Sequence, residues 1–387
     1  MKKANFHTLS LAYLYLGLMA VLGILAPILA NDKPLIAKSE NAWHFPFLRE
    51  GLYEKSDYHW QLNPPIPYGE GSLEYAQSDA ISPFDDQSKK AWNQRHWLGT
   101  DQLGRDVLTQ LIYGCRTAFW VGLGSMLIAF IIGIAVGGFS AYLGDGQLSY
   151  TWPKYLFFLL LGILSIIAFT LIPPYQVKGV STSQLLSPIL SICLLIVLLL
   201  LIARLLFKRY SDIKSKQFNL PLDLFLNRLI ELIDSLPSLL LVIALSALIQ
   251  GGVASLILII GLTAWTGIAK LFRAEVLKIK NSPFISSAQS LGFGNSRILF
   301  KHILPNALPS VTVAISFGVS SAILAESSLS FLGLGLSGAQ ASWGAMIASA
   351  RVDLEAWWVL LFPALAIFLT LLSCHTIGKS IMKQQHT

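Results

Sequence analysis

Residues 9–30 read LSLAYLYLGLMAVLGILAPILA, a run with no charged side chain. Wound as an α-helix at 1.5 Å per residue, such a run matches the roughly 30 Å of a bilayer's hydrocarbon core. Similar runs with few or no charges recur near 118–143, 155–173, 184–207, 229–250, 253–272, 308–335 and 356–378. A backbone in lipid must satisfy its own hydrogen bonds, so these runs predict helices. The expectation is an all-α integral membrane protein with eight spans. Composition supports it: 54% of the 387 residues are hydrophobic and 13% charged, against about 25% charged in soluble domains.

The net charge of +7 does not point to nucleic acid, because most of the charges sit at the ends of apolar runs, where they set orientation. Lys2 and Lys3 precede the first run and place the N-terminus in the cytoplasm. PILAND is a poor cleavage site and the run is long for a signal peptide, so it reads as an uncleaved anchor. Successive crossings put 144–154, 208–228, 273–306 and the C-terminus inside. Arg204, Lys208, Arg209, Lys214 and Lys216 crowd one inside segment, and Lys270, Arg273, Lys278, Lys280, Arg297 and Lys301 another. Residues 31–117 form an extracytoplasmic loop with Pro64, Pro65, Pro67 and four tryptophans. Cys115, Cys193 and Cys374 lack metal-ligand spacing, and no metal site or disulfide framework is expected.

One polar segment interrupts the apolar second half: SSAQSLGFGNSRILFKHILPN, residues 286–306. Ser282 as N-cap and Pro283 at the first helical position predict a short helix that stops at Gly292. A second piece restarts after Gly294 and ends before Pro305. Periodicity alone allows a structured loop without a partner.

The segment resembles the coupling motif of binding-protein-dependent ABC importer permeases: Glu-Ala-Ala, three residues, Gly, nine residues, Ile-x-Leu-Pro. Ser286, Ser287 and Ala288 stand at its first three positions, Gly292 at the glycine, and His302, Leu304 and Pro305 at its end. Serine replaces the motif's Glu, and His302 its Ile. Five further stretches resemble the second permease subunit of dipeptide and oligopeptide importers, in order: HWLGTDQLGRDVLTQLIYGCRTAF (His96–Phe119), RLIELIDSLPSLLL (Arg228–Leu241), AESSLSFLGLG (Ala325–Gly335), SWGAMI (Ser342–Ile347) and AWWVLLFPALAIFLTLL (Ala356–Leu372).

The resemblance implies a six-span permease core with an inserted pair of spans. Its divisions are 1–30 (first span), 31–117 (outer loop with an interfacial helix), 118–148 (span), 149–220 (inserted two-helix hairpin) and 221–387 (core, with the coupling segment at 283–306). It also implies half of a peptide translocation pore in a bacterial inner membrane. The partners would be a second, homologous permease, two ATPase subunits and an extracytoplasmic substrate-binding protein. The chain would bind no cofactor; ATP and Mg would sit on the ATPases. The tail SCHTIGKSIMKQQHT and the lack of paired prolines before Ser-Trp-Gly depart from the family pattern.

Two further features carry alternatives. Gly99, Thr100, Asp101, Gly104, Arg105 and Asp106 read either as an amphipathic entrance helix that receives a binding protein, or as an interfacial helix anchoring the second span. Glu326 is an ionisable group in an apolar run and is a pore candidate; the alternative is a structural pairing with nearby serines. IGKS (Ile377–Ser380) lacks the upstream glycine of a phosphate loop, and no catalytic grouping with a local signature occurs. A non-peptide importer, for nickel for instance, and a membrane enzyme are the rival functions.

Overall fold

The computed structural model describes residues 2–38, 43–48, 59–73, 80–88, 90–151, 217–249, 252–336 and 340–385. Helix α1 (Lys2–Leu29) leads into a loop region with three short strands, β1 (Ile36–Lys38), β2 (Trp43–His44) and β3 (Trp60–Leu62). These form an antiparallel sheet in the order β2-β1-β3, with Ala37 opposite His44 and Gln61. Helix α2 (Val107–Leu143) follows, then the antiparallel pair β4 (Asp145–Thr151) and β5 (Gln217–Pro221). The rest is helical: α3 (Leu222–Asp234), α4 (Ser238–Leu248), α5 (Val253–Lys280), α6 (Pro283–Ser290), α7 (Asn295–Ile298), α8 (Leu304–Phe331), α9 (Trp343–Ser349) and α10 (Trp357–Gln385).

Two compact units result, one of residues 1–142 and 229–387, the other of residues 143–228. In the second, β4 and β5 pair from Asp145 opposite Pro221 to Thr151 opposite Gln217. The expected spans at 155–173 and 184–207 lie outside the described residues.

Five described helices are long and apolar enough to cross a membrane: α1, α2, α5, α10, and α8 with the helical residues that lead into it. The single span expected at 229–250 is instead a broken pair: α3 and α4 meet at 80°. The sequence between them is SLP, residues 235–237. Pro237 removes a backbone donor and disfavours the helical region for Leu236, and the helix breaks there.

Small residues set the packing. A Cβ on Gly137 would lie 2.4 Å from the Ala269 carbonyl oxygen, and one on Gly133 would meet Ile268, so α2 and α5 approach backbone to backbone. Gly133 and Gly137 therefore serve packing within this chain. Gly122 of α2 meets Val319 and Ile323 of α8, and α8 also packs on α5, α9 and α10. Helix α1 lies on α10, and Tyr15 Oη donates to the Ala366 carbonyl at 3.0 Å.

The contacts define two ends. At one, Tyr113 Oη donates to the Ala30 carbonyl at 3.0 Å, and Trp358 Nε1 to the Thr100 carbonyl at 3.0 Å. At the other, Lys280 Nζ donates to the Tyr142 carbonyl at 2.8 Å, closing the C-terminal end of α2.

Candidate functional site

The polar segment folds as a helix and a sharp stop. Pro283 opens α6, where its missing N–H costs nothing. At the C-terminal end the Phe293 N–H reaches the Ala288 carbonyl at 3.2 Å, and the Gly292 N–H the Gln289 carbonyl at 2.9 Å. This closing motif needs a left-handed residue, and Gly292 has φ +76°. The chain then continues through α7 and a π-turn at Leu299–Ile303 directly into α8. The expected break before Pro305 is absent. Leu304 N–H bonds to the Leu299 carbonyl, five residues back. This wider turn brings the chain to Pro305 at the first turn of α8, where a proline is tolerated.

Only one side of this segment is bound to the bundle. Ile285, Ile298 and Ile303 are fully buried, and Ala288 nearly so. Ser286, Ser287, Gln289, Ser290 and Gly292 face outward, beside Phe284, Leu291 and Phe300, of which Leu291 is 74% exposed. Ser287 and Ser290 hydroxyls donate back to the Pro283 and Ser286 carbonyls. Of the motif's last residues, His302 stacks on Phe293, with ring centroids 6.0 Å apart, and Pro305 is exposed.

The opposite end is closed on itself. The helix expected across GTDQLGRD does not form; residues 99–106 make a tight turn closed by a Thr100–Asp106 bridge. The i,i+4 pair suggested a helix, but Asp101 uses its oxygens otherwise. Its Oδ1 accepts from the N–H groups of Leu103 and Arg105, both at 2.9 Å, and its Oδ2 from Arg105 Nε at 2.7 Å. Gly99 has φ +78°, and a Cβ there would sit 2.5 Å from the Ile81 carbonyl oxygen. Asp106 caps α2 by accepting from Thr109 N–H at 2.8 Å, while its other oxygen contacts His96 Nδ1 at 2.9 Å. This cap starts the second span eleven residues earlier than expected, at Val107 rather than 118. Tyr113, two turns into this helix, is buried.

Ser-Trp-Gly locks the same end. Ser342 caps α9 by accepting from Ala345 N–H at 3.0 Å. Trp343 is 1% exposed, lies on Gly114 and donates to the Leu111 carbonyl at 3.2 Å. Gly344 lets α9 touch α8, because a Cβ there would be 2.1 Å from the Ser327 carbonyl oxygen. Glu326 lies at this contact, 1% exposed, with Ser330 Oγ donating to Oε1 at 2.8 Å and Ser327 Oγ to Oε2 at 3.3 Å. Its carboxylate points into the chain's own packing and not to an open face.

A family model described as "Binding-protein-dependent transport system inner membrane component" matches residues 213–385. The dipeptide transport system permease protein DppC of Bacillus subtilis is 30% identical over 288 residues, covering 74% of this chain and 67% of the relative. This chain belongs to that transport family. The inner membrane ABC transporter permease protein YejE of Escherichia coli is 26% identical, over 91% of this chain and 85% of its own length. A glutathione transport system permease protein, GsiD of Pectobacterium atrosepticum, is 27% identical over 78% of this chain and 76% of its own. With its apolar helices, this family member is a multi-pass inner membrane protein.

One residue of this transport component escaped the sequence reading. Arg116 is the only charged residue in α2, but the span was expected to start two residues beyond it. It is exposed and lines a cavity of about 260 Å³ with Glu70, Tyr113, Thr117, Trp120, Val253 and Gln340. Glu70 Oε1 accepts from the Ala341 N–H, and Thr117 Oγ1 donates to the Ala341 carbonyl at 2.8 Å. Burial pushes the Glu70 carboxyl above the usual carboxylate range, partly offset by the Ala341 N–H and the Arg116 charge. A lone arginine in an apolar run was the signal that would have found this wall.

Proposed function

We propose that this chain forms half of the translocation pore of a peptide importer and couples it to separate ATPase subunits through α6. The observation that carries the reading is the half-bound state of residues 283–292. Their apolar side is buried, while Phe284 and Leu291 stand exposed among serines. Exposed apolar side chains rimmed by polar ones mark a protein contact. Lys270, Arg273, Lys278, Lys280, Arg297 and Lys301 crowd the same end, which supports a cytoplasmic placement for it and for both termini. The names of the relatives, dipeptide, oligopeptide and glutathione permeases, support a peptide substrate.

In this reading a second, homologous permease completes the pore, two ATPases bind the cytoplasmic face, and an extracytoplasmic protein delivers the peptide. ATP-driven closure of the ATPases pulls on α6. The continuous helix from Leu299 to Phe331 carries that movement across the membrane as a rigid body. The chain itself breaks no covalent bond. Glu326 acts as an internal brace between α8 and α9.

The test is uptake by the assembled complex with Gly292→Val. Open space surrounds this position, so the change acts through backbone strain at φ +76° alone. Membrane insertion should persist and uptake should be lost. Gly294→Ala, also in open space and without a positive φ, should be near normal. Normal uptake by the Gly292 variant would sink the assignment.

A further inference from the structure

A guanidinium in an apolar span is costly and is normally found against a bundle interior or a water-filled space. Arg116 has such a space in the 260 Å³ cavity at the loop end of α2. The other polar groups of its wall are largely committed. Tyr113 is bonded to Ala30, Thr117 to Ala341, and one oxygen of Glu70 to the Ala341 N–H. Among the described residues, neither the Arg116 guanidinium nor the Gln340 amide has a hydrogen-bond partner. The wall therefore holds unspent donors, one of them charged, beside the flat apolar face of Trp120.

We propose that this cavity is a subsite for the C-terminal carboxylate of an entering peptide, gripped by the Arg116 guanidinium with the Gln340 amide donating beside it. The planar fork of arginine matches the two oxygens of a carboxylate. The cavity is below the roughly 300 Å³ at which pockets begin to enclose whole small ligands, so it accepts a terminus and leaves the rest of the peptide in the path. Trp120 offers an apolar wall to the last side chain, and Val253, which opens α5, adds to the apolar lining. A lipid phosphate is also an oxyanion and offers the same chemistry to Arg116, so the test must separate the two sources. The proposal rests on the peptide reading above and adds to it a part of the peptide and a residue that holds it.

The experiment uses the full complex in vesicles, with the binding protein preloaded with either trialanine or trialanine amide. Wild type, Arg116→Gln and Arg116→Lys are compared per assembled complex, as judged by copurification of the ATPase subunits. Arg116→Gln should lower trialanine uptake about 10-fold or more, the size of a lost hydrogen bond to a charged group. Uptake of the amide, which has no carboxylate to lose, should change by less than about twofold on the same scale. Arg116→Lys, with the charge but not the fork, should fall between. Equal losses for acid and amide would overturn the proposal and assign Arg116 to lipid phosphate or to structure; no loss for either would overturn it as well. Wild-type complex that imports neither peptide would refute the peptide reading itself, and the subsite with it, before any variant is compared.

Discussion

The two ends of the helical bundle spend their polar groups differently. At the loop end, Asp101, Asp106 and Glu326 are nearly or fully buried, and each has hydrogen-bond donors from its own chain. Trp343 and Gly344 are fitted to single carbonyls. At the α6 end, serines and three large apolar side chains point away from the fold. A group already satisfied inside its own chain specifies shape. A group left exposed at a rigidly closed turn is available to a partner. Motif residues at the two ends, alike in sequence as short runs of small and polar residues, therefore do opposite work. Substitutions at the buried positions of the loop end should lower stability, and substitutions on the outer face of α6 should lower assembly and uptake with stability intact.

The largest effect should come from Gly344→Val. With the Ser327 carbonyl 2.1 Å from a Cβ, α9 cannot stay against α8, and little monodisperse protein should be recovered in detergent. Recovery at the wild-type level would show that the loop end is not closely packed. Glu326→Leu should follow. It removes the acceptor of two serine hydroxyls in a buried site and should cost about 1–3 kcal/mol, read as a lower thermal midpoint. Glu326→Gln keeps the shape and an acceptor, so both midpoint and uptake should stay near wild type. A Gln variant with normal stability and altered uptake would return Glu326 to the translocation path.

Asp106→Ala should cost about 0.5–2 kcal/mol, the range for a lost helix cap, and should leave copurification of the ATPases unchanged. The smallest effect belongs to Glu70. Burial raises its carboxyl above the usual value, so the native state holds the proton more tightly than the unfolded chain. The contribution is present below the ordinary glutamate value and fades as pH rises through the native value. Thermal midpoints of wild type and Glu70→Gln should therefore draw together toward acid and separate, in favour of Gln, toward neutral pH. The opposite slope would mean that the carboxylate is favoured in the fold.

Much of this was legible in the sequence, because lipid imposes length and apolarity on a helix. Runs of about 20 apolar residues announce α1, α5 and α10. Gly292 reads as a helix stop, and it has a positive φ. What stayed hidden depended on where a side chain's bonds go. Asp101 and Arg105 have helical spacing, yet Asp101 closes a turn, because two backbone N–H groups lie nearer than another helical turn. Pro305 is a local stop signal, but a five-residue hydrogen bond just before it lets the helix continue. Arg116 lies just before the expected start of the second span, and nothing local tells that the Asp106 cap begins the helix at Val107. The fate of Glu326 rested on α9, which approaches it through a glycine eighteen residues further along.

The central claim is that the outer face of α6 is a partner surface and not part of the fold. Leu291→Asp tests it most directly, since Leu291 is 74% exposed and its change removes an apolar contact without touching the core. The measurement is copurification of the ATPase subunits, with the thermal midpoint of the purified chain in parallel. The account predicts an unchanged midpoint and loss of the ATPases from the complex. An unchanged midpoint with ATPases fully retained and uptake normal would contradict it.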